Sequence, residues 1–152
     1  MAVAFLTPNT LADTLRRIDA IQEDTPRLWG KMDAIHMFAH IRHALRVSLE
    51  EADTTDQGNF LKKNVLRYLV FHTPMPWPKG KIQTPSGYVV EPEGDFNSVK
   101  EDLKATITRF VETSEATPDR VTLHPVFGKR SLQYWQRLNG SHFEHHLRQF
   151  GV

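Results

Sequence analysis

With 152 residues, 39% of them hydrophobic and 24% charged, the chain has the composition of a single globular domain spanning 1–152, far from that of a disordered segment. Its 19 Lys and Arg stand against 18 Asp and Glu, a net charge of +1, so bulk charge offers nothing to steer nucleic acid or an anionic membrane surface. Cys is absent, which excludes disulfides, thiolate metal sites, iron–sulfur clusters and a cysteine nucleophile of the chain's own.

The opening run Ala2-Val3-Ala4-Phe5-Leu6 is too short for the core of a secretion signal and lacks a basic lead-in. No later window approaches the ~20 apolar residues of a membrane span, so a cytoplasmic address is the expectation. Asn139-Gly140-Ser141 matches a glycosylation sequon and is set aside for the same reason.

Thr7-Pro8 or Asn9-Thr10 opens a first helix, in which Leu11, Leu15, Ile18 and Ile21 recur at steps of three and four until Pro26 forbids continuation. A second helix is predicted over 32–51, with Ile35, Phe38, Leu45 and Leu49 as its apolar stripe. A shorter third spans 59–71 through Leu61, Val65, Leu66 and Leu69. From His72 to Gly94 the prolines at 74, 76, 78, 85 and 92 and the glycines at 80, 87 and 94 break every pattern. A long loop is expected there, and its Met75, Trp77, Ile82, Tyr88, Val89 and Val90 suggest that it packs down on the domain.

Asp95 to Ser98 supplies a cap for a fourth helix, to about Glu115, with Val99, Leu103, Ile107 and Phe110 facing inward. The stretch 117–130 reads as a linker. Ser131 then caps a last helix to about Gln149, with Gly140 as its weak spot. There is no internal repeat and no long β-alternation, so the expected class is all-α. The architecture is a four-helix bundle of the first, second, fourth and fifth helices, with the short helix and the Pro-rich loop as an elaborated crossover.

Six of the eight histidines lie on two helices: His36, His40 and His43 on the second, and His142, His145 and His146 on the last. At about 100° per residue, His142 and His146 share the apolar face of the last helix with Trp135 and Leu138, while His145 falls at its flank and Glu144 faces solvent. The segment keeps the i, i+4 His pair of zincin peptidases, but their general base directly follows the first His, and Glu144 sits one place later on the wrong side. On the second helix His40 borders the apolar arc most closely. One histidine on an apolar face is more often a hydrogen-bonded core residue than a ligand. Three that converge from facing helices are most simply satisfied by a metal ion, and three His with an open position is the arrangement of catalytic zinc. His72 and His124 stand beside prolines or in loops and read as structural or incidental.

Trp29 to His40, Trp-Gly-Lys-Met-Asp-Ala-Ile-His-Met-Phe-Ala-His, resembles the second-helix motif of the DinB-like superfamily. The ending from Tyr134-Trp135 through His142-Phe143-Glu144-His145-His146-Leu147-Arg148-Gln149-Phe150-Gly151 is more specific. Together with His124-Pro125-Val126-Phe127-Gly128 and the Pro78 to Lys81 run, it resembles the branch of that superfamily catalogued as a domain of unknown function. The resemblance implies an up-down-down-up four-helix bundle, commonly a homodimer. It also implies a divalent ion, nickel or zinc, bound by one His of the second helix and two of the last. Carried over residue by residue, the ligands fall on His40, His142 and His146, with His36 and His43 as extra imidazoles and His43 as an alternative to His40.

Members similar to this chain are transferases and isomerases using low-molecular-weight thiols such as bacillithiol, mycothiol or glutathione. The implied activity is therefore a metal-dependent, thiol-dependent S-transfer to a small molecule, the thiol or a water taking the open position and the loop around Trp77 shaping the pocket. A metal-dependent hydrolase is the alternative within the enzymes. A non-enzymatic, stress-related binding or dimerisation module with a structural ion is the alternative outside them. Neither nucleic acid nor membrane is an expected partner. Arg42, Lys79 and Arg148 could meet a substrate carboxylate, a role equally open to ordinary surface charges.

Overall fold

The computed structural model describes residues 4–72, 84, 85 and 87–152. Its described part is mostly helical. α1 is Pro8–Ala20, α2 is Ala34–Ser48, a π-helical stretch Lys62–Leu66 runs into α3 at Arg67–His72, α4 is Phe96–Ala116 and α5 is Leu132–Gln149. Between α4 and α5 lies a two-stranded antiparallel sheet, β1 Val121–His124 and β2 Gly128–Ser131, in the register Val121↔Ser131 and His124↔Gly128.

The helix starts follow local chemistry. Thr7 N–H donates to Thr10 Oγ1 ahead of Pro8. Asp33 accepts from His36 N–H at the start of α2, Asp95 from Ser98 N–H at α4, and Ser131 from Tyr134 N–H at α5; each satisfies an amide that the helix itself leaves unpaired. α1 stops at Ala20, before the expected Pro26. Its end is held from α4, where the buried Lys100 ammonium donates to the carbonyls of Asp19 at 3.0 Å and Ile21 at 2.8 Å, a cation at the negative end of the helix dipole.

α2 packs on α4 and α5, α1 on α4, and α4 on α5. Ile18, Ile21, Phe38, Ile41, Leu45, Leu103, Ile107, Phe110, Leu132 and Trp135 fill the space between them; of the residues expected to face inward on these helices, Leu11, Leu15 and Ile35 are only half-buried against that core. The third helical segment departs from expectation. Its apolar stripe does not enter the core: Leu61 is 62% exposed, Phe60 81%, and Val65, Leu66 and Leu69 are exposed beside them.

The 117–130 linker is corrected to the hairpin. Thr122 and His124 of β1 point inward while Val121 is 54% exposed, so the alternation is carried by polar residues and is invisible to a hydropathy scan. Thr122 Oγ1 donates to the Ser48 carbonyl at the end of α2. His124 Nδ1 accepts from the amides of both Val126 and Phe127 at 3.0 Å, which closes the Pro125-Val126-Phe127 turn and fixes the ring as the Nε2–H tautomer. The ring is packed between Phe127 and Trp135. Of the Pro-rich loop, Tyr88 is buried and Val90 half-buried against the core; Met75, Trp77, Lys79 and Ile82 lie outside the described residues. No described helix is long and apolar enough to cross a membrane.

Gly140 is required by a close approach, for a Cβ there would meet Ala4 O and Phe5 Cα at 2.6 Å, where the amino-terminal segment crosses α5 and Leu6 N–H bonds to Gln136 O. Helix propensity alone makes Gly→Ala favourable by ~1 kcal/mol. In this chain Gly140→Ala is expected to reverse that sign and cost about 1–3 kcal/mol by forcing backbone apart, as read by urea unfolding.

Burial, chiefly, lowers His124 to about 3, so the unfolded chain binds a proton that the folded one refuses. Stability is therefore full above the ordinary His value near 6.5 and falls as pH drops from there toward 3, with a slope of up to about 1.4 kcal/mol per pH unit from this ring. His124→Asn keeps an acceptor for the two amides and removes the titration. Its unfolding free energy between pH 6 and 4 is expected to fall less steeply than that of the unsubstituted chain.

Candidate metal centre

α2 and α5 face one another, and each presents histidine to the contact. His142 and His146, one turn apart on α5, meet His40 of α2, whose Nε2 lies 2.9 Å from His142 Nε2; His146 Nε2 lies 3.1 Å from the same atom. The ligand atoms of the three residues all fall within 4.8 Å of one another. His40 and His146 are buried.

The hydrogen bonds on the far side of two of the rings determine what the near side offers. His40 Nδ1 is 2.9 Å from the Tyr88 carbonyl, an oxygen that only accepts, so Nδ1 carries the proton and Nε2 is a bare lone pair. His146 Nδ1 is 2.9 Å from Gln149 Oε1. The amide end of Gln149 is committed elsewhere, its Nε2 donating to the Trp29 carbonyl at 2.7 Å, so its Oε1 faces His146 as an acceptor and His146 Nε2 is likewise bare.

Two lone pairs thus aim at His142 Nε2. A proton there satisfies one of them and leaves the other facing it; without a proton, three lone pairs confront one another. Nor can protonation of the rings relieve them at neutral pH. Burial, first, pushes His142 well below its ordinary value, with His146 and His40 adding to it. Burial also brings His146 to about 3 and lowers His40 against the opposing bond to Tyr88. A cation at the meeting point resolves the conflict, and three neutral imidazoles, two of them with Nδ1–H anchored to oxygen, are the donor set that zinc, nickel and similar ions take.

Beside His40 a cleft of about 270 Å³ is lined by Lys31, Met32, Asp33, His36, Val89 and Val90. Its volume is at the small end of ligand pockets. Met32, Val89 and Val90 make its walls apolar, and Lys31, Asp33 and His36 give it a polar rim.

The other histidines are not part of the converging group. His36 Nδ1 is bonded to Asp33 at 2.6 Å, which raises its pKa. His43, the alternative to His40, lies edge-on to the Tyr88 ring, and His72 stacks on Tyr68. His145 packs edge-on to both His146 and Trp29. Glu144, expected in solvent, is instead half-buried and tied to Arg17 of α1 and to Arg148. Of the basic candidates, Arg42 is buried and paired with Asp102 of α4, and Arg148 holds Glu144. Neither addresses the cleft.

Sequence reasoning missed the groups behind the ligands. Tyr88 acts through its carbonyl, which no residue type announces. Gln149, three residues after His146, carries a readable signal, since i, i+3 side chains meet on a helix.

A family model described as "Protein of unknown function (DUF1569)" matches residues 4–151. No curated protein and no solved structure matches the chain. The match runs through all five helices, the hairpin and the three converging histidines, and the chain belongs to the DUF1569 family.

Proposed function

We propose that the chain is a divalent-metal-dependent enzyme with a DinB-like, up-down-down-up four-helix bundle, in which His40, His142 and His146 hold nickel or zinc. The observation that supports it best is the convergence of three Nε2 atoms, two of them stripped of protons by oxygen acceptors behind the rings. An ion held there would lower the pKa of a thiol or water ligand and make it nucleophilic at neutral pH.

The chain's own part is to place and shield. The Tyr88 carbonyl and Gln149 orient two ligand rings. Three protein ligands leave a position for an exogenous group, and the cleft lined in part by His40 lies beside the cluster. The apolar walls suit an uncharged small electrophile. Since the chain has no Cys, a thiol nucleophile must arrive as a low-molecular-weight cofactor, so the reading is an S-transferase or isomerase using such a thiol. A cytoplasmic setting, where such thiols are reduced, belongs to the same proposal.

Untagged protein purified without chelator is expected to carry about one divalent ion per chain by mass spectrometry, and His142→Ala to lose it. The loaded protein should then consume a small electrophile only when bacillithiol, mycothiol or glutathione is supplied. Turnover without thiol would instead identify a hydrolase. An ion without turnover in any such assay would leave a structural centre. No ion after reconstitution with nickel, zinc or manganese would end the metalloenzyme reading.

One observation favours an assembly role beside the chemistry. Phe60, Leu61, Val65, Leu66, Tyr68 and Leu69 are exposed within ten residues of chain, more than scattered single surface residues give, and a homodimer would bury them. Light scattering is expected to give twice the 17.5 kDa chain mass. Leu61→Lys with Leu66→Asp should yield the monomer with its metal content unchanged; a dimer that survives the pair of changes would place the interface elsewhere.

A further inference from the structure

The carboxy-terminal end of α5 does two things with one side chain. Gln149 is 3% exposed. Its Oε1 accepts from His146 Nδ1 at 2.9 Å and its Nε2 donates to Trp29 O at 2.7 Å. Its own backbone carbonyl accepts from Leu28 N–H at 2.7 Å. The turn it grips, Arg27 to Gly30, is drawn tight by Arg27 Nε donating to Gly30 O at 3.0 Å and leads directly into Lys31, Met32 and Asp33, one wall of the cleft.

Gly30 explains how the amide fits. It has φ +86°, where side chains are strained, and a Cβ on it would lie 2.1 Å from Gln149 Nε2. The contact is with the group that orients His146, so any side chain at 30 must push that amide out of place.

Resting on the metal reading above, we propose that Gln149 is the positioning residue of the centre. Its oxygen holds His146 in the Nδ1–H tautomer and so keeps Nε2 available as a ligand, while Gly30 supplies the room that lets the amide turn that way. The donor half of the same amide ties the ligand to the cleft wall through Trp29, and the two halves separate by substitution. Gln149→Met keeps the length and volume of the side chain and loses both bonds. Gln149→Glu keeps an acceptor for His146 and loses the donor to Trp29. Gly30→Ala leaves Gln149 in the chain and displaces it.

Two measurements test the proposal on the whole chain, each beside the unsubstituted protein. The first is calorimetric titration with nickel or zinc alone. Removing a hydrogen-bond partner of a ligating imidazole typically weakens metal affinity 10–100-fold. Gln149→Met and Gly30→Ala are each expected to show about that loss, and Gln149→Glu to bind within about threefold of the unsubstituted chain.

The second measurement is the imidazole ¹⁵N shifts of the metal-free protein, which distinguish the two tautomers and require no ion. His146 should be Nδ1–H in the unsubstituted chain and in Gln149→Glu, and should move toward Nε2–H in Gln149→Met and Gly30→Ala. A merely structural role for Gln149 would not shift the tautomer and would not be rescued by Glu.

Affinity within twofold and an unchanged tautomer in Gln149→Met would overturn the proposal. If Gln149→Met does not fold, Gly30→Ala and Gln149→Glu decide. Unperturbed His146 in Gly30→Ala, or a tautomer switch in Gln149→Glu, overturns it. Failure of the unsubstituted protein to bind any ion would defeat the metal reading alone, leaving the tautomer assignment to stand or fall on the ¹⁵N shifts.

Discussion

The arrangement of this molecule turns on two hydrogen bonds made on the outer edges of buried rings, His40 Nδ1–H to the Tyr88 carbonyl and His146 Nδ1–H to Gln149. Without them each imidazole could present either nitrogen inward, and three buried neutral rings could satisfy one another in a chain of ordinary N–H···N bonds. With them two lone pairs are committed to the same point from opposite helices. The cluster is then a poor core and a good ligand set, because burial that keeps the rings neutral also removes the water that would otherwise satisfy them.

One anchor, the Tyr88 carbonyl, comes from a part of the chain with no regular structure, and the other, Gln149 at the end of α5, is itself held by an irregular turn through Trp29. Tyr88 belongs to the Pro-rich connection ahead of α4, and Trp29 to the turn ahead of α2. Each is pinned by burial or hydrogen bonds rather than by a helix ladder: Tyr88 is 5% exposed, and the turn is held by Gln149 through Leu28 and Trp29. The helices bring the three histidines together, and irregular segments help decide which atom two of the rings offer, Tyr88 directly and the 27–30 turn by holding Gln149. This division explains why connecting segments can carry function on a scaffold whose packing is conventional.

How much of this could be read from residues alone follows from what periodicity reports. Recurrence at three and four residues tells which face of a helix is apolar, and for α1, α2, α4 and α5 that face is the buried one. It does not tell what covers the face. In the third helical segment the same signal marks Leu61, Val65 and Leu66, which are exposed. The hairpin escaped because its inward positions are Thr122 and His124, polar groups satisfied by Ser48 O and by two turn amides, so hydropathy runs against the true alternation. The His cluster was visible because angular placement on two helices is arithmetic on the sequence. Its supporting carbonyl was not, because every residue carries one.

Glycine shows the same limit from the other side. Gly140 interrupts α5 at a cost of ~1 kcal/mol relative to Ala by intrinsic propensity, and a sequence scan marks it as a flaw. In three dimensions that position is where the amino-terminal segment crosses the helix at a distance no Cβ allows. The weakness in the helix permits the crossing, and the crossing places Leu6 in the core with its amide on Gln136 O. Six residues further along the same helix stands His146. The helix that carries two of the three converging histidines is thus held at its middle and at its carboxy-terminal end by close approaches to a glycine, at Gly140 by the backbone of Ala4 and Phe5 and at Gly30 by the amide of Gln149. At Gly140 helix propensity yields to packing of the amino-terminal segment, and at Gly30 the missing side chain yields to the amide that orients His146.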